Sequence, residues 1–252
     1  MKNIFDSHAH YTDSAFDNDK HPLLTSFNKA GIAGVINCGT NIKDSKESLA
    51  LSHMYSFMYA AVGIHPHEAD KAEADYLEQL SRLLSDKKVV AIGEIGLDYH
   101  YDFSPRETQK KLFHEQLYLA AKFSLPVIIH NRKAHSDTLE ILKEHKPCGV
   151  LHCFSGSVEV LKEVLNLNMY IGLGGAVTFK NARKALAVAA AVPLDRLLIE
   201  TDCPYMAPEP YRGKRCDSSL IPYTAQKIAE LKGISTEKVL EATAENAQRL
   251  FL

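Results

Sequence analysis

The 252 residues contain only five cysteines, Cys38, Cys148, Cys153, Cys203 and Cys216, and no two of them stand in a CxxC pair. An odd set without that spacing excludes a disulfide framework or a thiolate zinc site as the basis of the fold. Charge of one sign is also scarce: 29 Lys and Arg against 31 Asp and Glu leave a formal charge of -2 at pH 7. A protein that coats nucleic acid through overall basicity is thereby excluded, and any contact with phosphate must be local. Long apolar runs are missing too, since no stretch reaches the roughly eighteen apolar residues of a membrane span. Met1-Lys2-Asn3 passes into Ile4-Phe5-Asp6 without an apolar leader region. These features lead us to expect a soluble, uncleaved, cytoplasmic protein with no membrane contact and no obligate protein partner. No low-complexity linker interrupts the chain, so one domain over residues 1–252 is expected.

Hydrophobic residues make up 46% of the chain, ample for a large core, and they recur in a regular order. Eight short runs alternate with longer segments of helical periodicity: Ile4–Asp6, Gly34–Asn37, Tyr59–Val62, Val89–Ile92, Pro126–Ile129, Gly149–Leu151, Met169–Ile171 and Leu197–Ile199. Short Val- and Ile-rich runs separated by helices indicate βα units with a sheet buried on both faces. Eight units in about 250 residues suit a single closed (β/α)8 barrel of the TIM type, with an open doubly wound sheet as the alternative. Ser104-Pro105-Arg106-Glu107 reads as a capped helix start, and Leu112, Phe113, Leu117, Ala120 and Ala121 follow as its buried face. Ser235 opens a last outer helix carrying Val239, Leu240, Thr243 and Ala247 on one side.

Nearly every apolar run ends in a residue that can bind a metal or move a proton. The first ends in His8 and His10, which two-residue alternation places on one face. Alternation likewise groups Val90 and Ile92 with Glu94, Ile128 with His130, Val150 with His152, and Leu198 with Glu200 and Asp202. In a parallel barrel the C-terminal strand ends surround one opening, where active sites of this architecture lie. A lone histidine at a strand end is more often a hydrogen-bonded structural residue, and His65, His67, His114 and His135 carry that reading individually. The joint pattern is different, because burying four imidazoles and two carboxylates together without a cation leaves charge and polarity uncompensated. His8, His10, Glu94, His130, His152 and Asp202 can together hold two divalent ions, with Glu94 as the bridge. Four imidazoles favour zinc, manganese or nickel over magnesium.

The segments Asp6-Ser7-His8-Ala9-His10, Gly63-Ile64-His65-Pro66-His67, Gly93-Glu94-Ile95-Gly96-Leu97-Asp98, His130-Asn131-Arg132, His152-Cys153-Phe154-Ser155-Gly156 and Glu200-Thr201-Asp202-Cys203-Pro204-Tyr205 resemble, in that order, the TatD-type metal-dependent deoxyribonucleases of the amidohydrolase-like barrels. The resemblance spans most of the chain. It implies hydrolysis of phosphodiester bonds in DNA from the 3′ end, with magnesium or another divalent ion. It also implies that His8, His10, Glu94 and Asp202 hold one ion and that Glu94, His130 and His152 hold the other. Asp202 would deprotonate the attacking water, and His65 and Arg132 would face the substrate phosphate. One segment departs from the family's pattern: Arg212-Gly213-Lys214-Arg215 is followed by Cys216-Asp217-Ser218-Ser219, where relatives carry Asn, an acidic residue and Pro. Substrate choice therefore stays open.

Other residues receive supporting readings. Glu200 and Asp6 are read as carboxylates that position other side chains, Glu200 toward His65 or a ligand. Cys153 and Cys203, next to ligands on their strands, are read as buried packing. Lys214 and Arg215 fit a DNA-steering turn and a solvated turn equally. Two other functions compete with the nuclease. A barrel hydrolase of C–N or ester bonds, such as a cyclic amidase or aminoacyl-tRNA deacylase, could use the same donors, although the carboxylated lysine of many amidases has no counterpart at a middle strand end here. A non-catalytic metal-binding scaffold would be expected to lack one or more of the six donors.

Overall fold

A computed structural model describes residues 3–252. The strands are β1 (Ile4–Ala9), β2 (Ile32–Cys38), β3 (Met58–Val62), β4 (Val89–Asp98), β5 (Val127–Arg132), β6 (Gly149–Leu151), β7 (Tyr170–Leu173) and β8 (Leu197–Ile199). They lie parallel, and each bonds to the next in sequence order. Helices α1 (Lys20–Ala30), α2 (Ile42–Met54), α3 (Tyr76–Leu83), α4 (Arg106–Phe123), α5 (His135–His145), α6 (Val158–Asn166) and α7 (Arg183–Ala191) fill the successive crossovers, and α8 (Ile221–Lys232) and α9 (Thr236–Phe251) follow β8. Each of the eight apolar runs falls within one residue of a strand. The ring is drawn closed where His10 N donates to Cys203 O and Asp202 N to His8 O, each at 2.9 Å. A sequential order with no reversal leaves no topological switch point, which excludes the doubly wound sheet.

Inside the ring, Phe5, Ile36, Ala61, Val90, Ile128, Val150, Tyr170 and Leu198 pack into one cluster, so the barrel interior is filled with side chains. The C-terminal outer helix α9 packs against α8, β8 and β1. Its last turns reach the inner cluster through Ala244, Ala247, Leu250 and Phe251. The interior is thus apolar near the starts of the strands, and polar residues are left to the opposite mouth.

Three local expectations are corrected. Val90 packs in the inner cluster but Ile92 in the outer one, so Val90, Ile92 and Glu94 do not share a face. The pairing of β3 with β4 shifts register between Val89 and Ala91, ahead of Ile92, and that of β4 with β5 shifts again between Ile92 and Ile95, around Glu94; such irregularities re-aim the residues that follow them. Helix α4 starts at Arg106 with Pro105 as its N-cap and no capping side chain. Ser104 instead donates to His67 O and accepts from Asp70 N, tying two mouth loops together. Ala121 is exposed, and Gln109 and Gln116 complete the buried face of α4. Both glutamines hold loops at the mouth. Gln116 bonds both backbone groups of Ile64, while Gln109 bonds Asp98 and Ser104.

Candidate metal centre

The C-terminal mouth opens into a cavity of about 1500 Å³ whose lining includes His10, His65, Glu94, His130, Arg132, His152 and Asp202. Within β1 the pairing to β2 shifts between Asp6 and Ala9, and His8 Nε2 and His10 Nε2 come within 2.9 Å of each other. Glu94 Oε2 lies 3.4 Å from each of these nitrogens, and Asp202 Oδ1 lies 3.7 and 3.5 Å from them. The other oxygen of Glu94 faces a second set. Oε1 is 2.8 Å from His130 Nδ1, 2.8 Å from His152 Nε2 and 3.3 Å from His65 Nε2. His65 is therefore part of the cluster, whereas Arg132 is exposed at the rim.

Asp202 stands just past β8 with φ 56°, in the left-handed region. Aspartate is among the few residues that tolerate this conformation, and single residues held there cluster at functional sites. The hydrogen bond from its N–H to His8 O ties that turn to β1. Barrel closure and placement of the Asp202 carboxylate thus depend on the same contact.

These donors fit divalent cations. Donors around a tetrahedral ion with bonds of about 2.0–2.2 Å lie roughly 3.3–3.6 Å apart, and the separations of His8 and His10 from each other, from Glu94 and from Asp202 run from 2.9 to 3.7 Å. His152 gives a second, independent sign. It is buried with neither ring nitrogen in a hydrogen bond, although Nε2 is only 2.8 Å from Glu94 Oε1. Buried polar atoms are nearly always satisfied, and a cation shared by both groups accounts for a close contact that is out of line for a hydrogen bond.

The electrostatics agree. Burial pushes the Glu94 carboxyl up, yet His152, His65 and His8 hold it well below the usual carboxylate range. Asp202 is lowered in the same way, burial being outweighed by His10, His8 and His152. Burial opposes charge on His10, but bonds to Asp202 and Glu94 push it up to about 10. His152 and His130 also rise against burial, through Glu94 and Glu200 in one case and Asp98 and Glu94 in the other. His8 and His65 are lowered, first by burial, and His65 falls to about 4. Without a cation, protons on His10, His130 and His152 balance the carboxylates. A metal must displace those protons, so loading weakens as pH falls.

Several supporting residues take definite places. Glu200 accepts from Cys153 N and lies 3.7 Å from His152 Nδ1, so it supports His152 and not His65. Asp6 faces away from the cluster and accepts from Thr201 N, Thr201 Oγ1, Ser218 Oγ and His8 N. Cys203 is buried packing, as expected. Cys153 instead lines the cavity, because it lies past the end of β6 with φ 42°, where strand alternation no longer holds. Its thiol is pushed well up by burial and by Asp202, Glu200 and Glu94, which makes it a poor nucleophile. Arg215 forks onto Asp19 at 2.6 Å and covers Phe16, so it fastens the turn to the N-terminal segment.

Sequence reasoning missed Asp98. Fully buried at the end of β4, it accepts from His130 Nε2 at 3.0 Å and His67 Nε2 at 2.9 Å on the same oxygen. Bonds from both rings and from Tyr101 N, working against burial, hold it far below its ordinary range. A carboxylate behind an imidazole fixes the ring and raises its basicity toward a metal. The signal was available in the alternation of Glu94, Gly96 and Asp98 with the apolar Ile95 and Leu97. We expect Asp98→Asn to move the metal-activation curve of hydrolysis to about 10- to 100-fold higher metal concentration. A curve that overlays the wild-type one would remove this role from Asp98.

A parallel barrel gathering imidazoles and carboxylates at its C-terminal mouth defines a metal-dependent hydrolase. Residues 5–252 match the family described as TatD related DNase, and the chain belongs to that family. It is 43% identical to an uncharacterized metal-dependent hydrolase, YabD, of Bacillus subtilis, over 98% of each chain. It is 34% identical to the 3′-5′ ssDNA/RNA exonuclease TatD of Pectobacterium parmentieri, over 98% of this chain and 99% of the relative. The crystal structure of YJJV, a TatD homolog from Escherichia coli, superposes with a TM-score of 0.92 at 34% identity, covering 99% of this chain and 98% of that one. Among the described residues no helix is long and apolar enough to cross a membrane.

Proposed function

We propose that this TatD-family hydrolase is a 3′-5′ exonuclease acting on single-stranded DNA with two divalent ions. The observation that carries the reading is the division of Glu94, whose two oxygens face two different donor sets. His8, His10, Asp202 and Glu94 would hold one ion, and Glu94, His130 and His152 the other. Support for the substrate comes from the Pectobacterium relative named for single-stranded DNA and RNA. Bound there, the ions supply Lewis acidity that lowers the pKa of water and offsets phosphate charge. Asp202, anionic at neutral pH, takes the proton of the attacking water as general base. Arg132 at the rim presents its guanidinium fork to the non-bridging phosphate oxygens, and buried His65 borders them from inside the cluster. Lys43, Arg183, Lys184 and Arg212 also line the cavity, interspersed with Asp13, Asp44, Glu47 and Glu68, so phosphate contacts would rest on individual cations and not on a net positive surface.

The test is a substrate panel of 5′-labelled single-stranded DNA, duplex DNA, RNA and charged tRNA, each with manganese and after exhaustive chelation. The expected result is progressive shortening of the single strand that stops on chelation and returns with metal. Activity that survives chelation, or deacylation of tRNA with every polymer intact, would overturn the reading.

A further inference from the structure

Two large aromatic side chains stand in solvent beside the metal cluster. Tyr101 is 47% exposed and Phe103 is 66% exposed, and both line the central cavity. They stack on each other with ring centroids 5.1 Å apart and planes 17° from parallel. The Arg132 guanidinium lies 4.7 Å from the Tyr101 centroid.

The loop that carries the rings is firmly held. Asp98 Oδ1 accepts from His100 N and Tyr101 N at 2.8 and 2.9 Å, and Asp98 itself is fully buried. Buried Gln109 bonds Asp98 O and Ser104 O, spanning the loop. Asp102, between the two aromatics, forks onto Arg106 of α4. Neither ring serves the core, so a fixed loop displays apolar surface to water with no return to folding.

The rings also lie close to the proposed chemistry. His67 meets Phe103 edge-on at 4.9 Å and Tyr101 at 5.4 Å, and its own ring is 6.0 Å from that of His130. One imidazole therefore separates the platform from a proposed metal ligand. A nucleotide with its phosphate at the cluster can place a neighbouring base on these rings.

We infer that Tyr101 and Phe103 form a stacking subsite for an unpaired nucleobase, with Arg132 joining the stack to the phosphate at the metal centre. The inference rests on the nuclease reading and deepens it. A π-face accepts any base, so the subsite selects strandedness and not sequence. A base held in a duplex offers no free face, so the platform favours single strands over paired ends.

Equilibrium binding of labelled oligonucleotides to the manganese-loaded full chain tests this without turnover. The probes are a phosphorothioate single strand, the same strand with abasic residues at its 3′ end, and a blunt duplex. Wild type is expected to bind the base-bearing strand about 10- to 100-fold more tightly than the abasic one, the range that base–aromatic stacking supplies. In Tyr101→Ala/Phe103→Ala that preference should fall to within about twofold through weaker binding of the base-bearing strand, while abasic affinity holds. Because both rings are exposed, the variant should melt with wild type. Tyr101→Leu/Phe103→Leu, which keeps apolar bulk without either π-face, should behave like the double alanine variant; a wild-type preference in it would show that bulk alone suffices and overturn the stacking subsite. Preference retained in the double alanine variant, or a wild type indifferent to bases, would overturn the subsite. A strand bound with base preference yet never shortened with manganese would instead defeat the nuclease reading and leave the subsite standing.

Discussion

Glu94→Gln is expected to lower the rate of metal-dependent hydrolysis about a thousandfold, equivalent to about 4 kcal/mol of transition-state stabilisation. The amide keeps the size of the side chain but not the second anionic oxygen, and each oxygen of Glu94 faces its own set of imidazoles. Both proposed ions lose a shared ligand at once, so metal content should fall with activity. The substitution also removes the negative charge that draws protons onto His10, His130 and His152. Those imidazoles become less basic, and proton release on adding zinc, followed by a pH indicator, should shrink with them. A Glu94→Gln protein with wild-type metal content and a rate within about tenfold of wild type would show that the carboxylate does not bridge.

Asp202→Asn is expected to reduce kcat by about 10³- to 10⁴-fold, since it removes the proposed general base and weakens the donor set of one proposed ion together. The carboxylate is anionic in the neutral range because His10, His8 and His152 outweigh burial, and it reaches the cavity from a turn in the left-handed region. Asparagine tolerates that backbone as well as aspartate does, so the fold should persist and thermal melting should change little. KM for the proposed DNA substrate should move far less than kcat, because Arg132 and the other Lys and Arg side chains at the cavity are untouched. Equal losses in binding and turnover, with a lowered melting temperature, would assign Asp202 to barrel closure alone.

Much of this arrangement was readable in the sequence because a parallel barrel turns distant strand ends into neighbours. Once eight apolar runs were in place, His8, His10, Glu94, His130, His152 and Asp202 fell at one mouth by topology alone, and the structure brings all six together. What alternation could not supply was register. Ile92 left the face expected for it because β4 shifts its pairing with β3 just ahead of it, and Cys153 turned into the cavity because its strand had already ended. Tertiary partners were also hidden. Ser104 looked like a helix cap, but it bonds His67 and Asp70 across the mouth. Arg215 looked like a free basic turn, but its partner Asp19 is far away in the chain. Asp98 was visible as a strand-end carboxylate, yet nothing local showed that two histidines share one of its oxygens.

The central claim is that one carboxylate divides two metal positions, and anomalous X-ray scattering from crystals of the manganese- or zinc-loaded protein tests it most directly. The account predicts two peaks per chain, one among His8, His10, Asp202 and Glu94 and the other among Glu94, His130 and His152. A single peak, or ions bound away from Glu94, would contradict it.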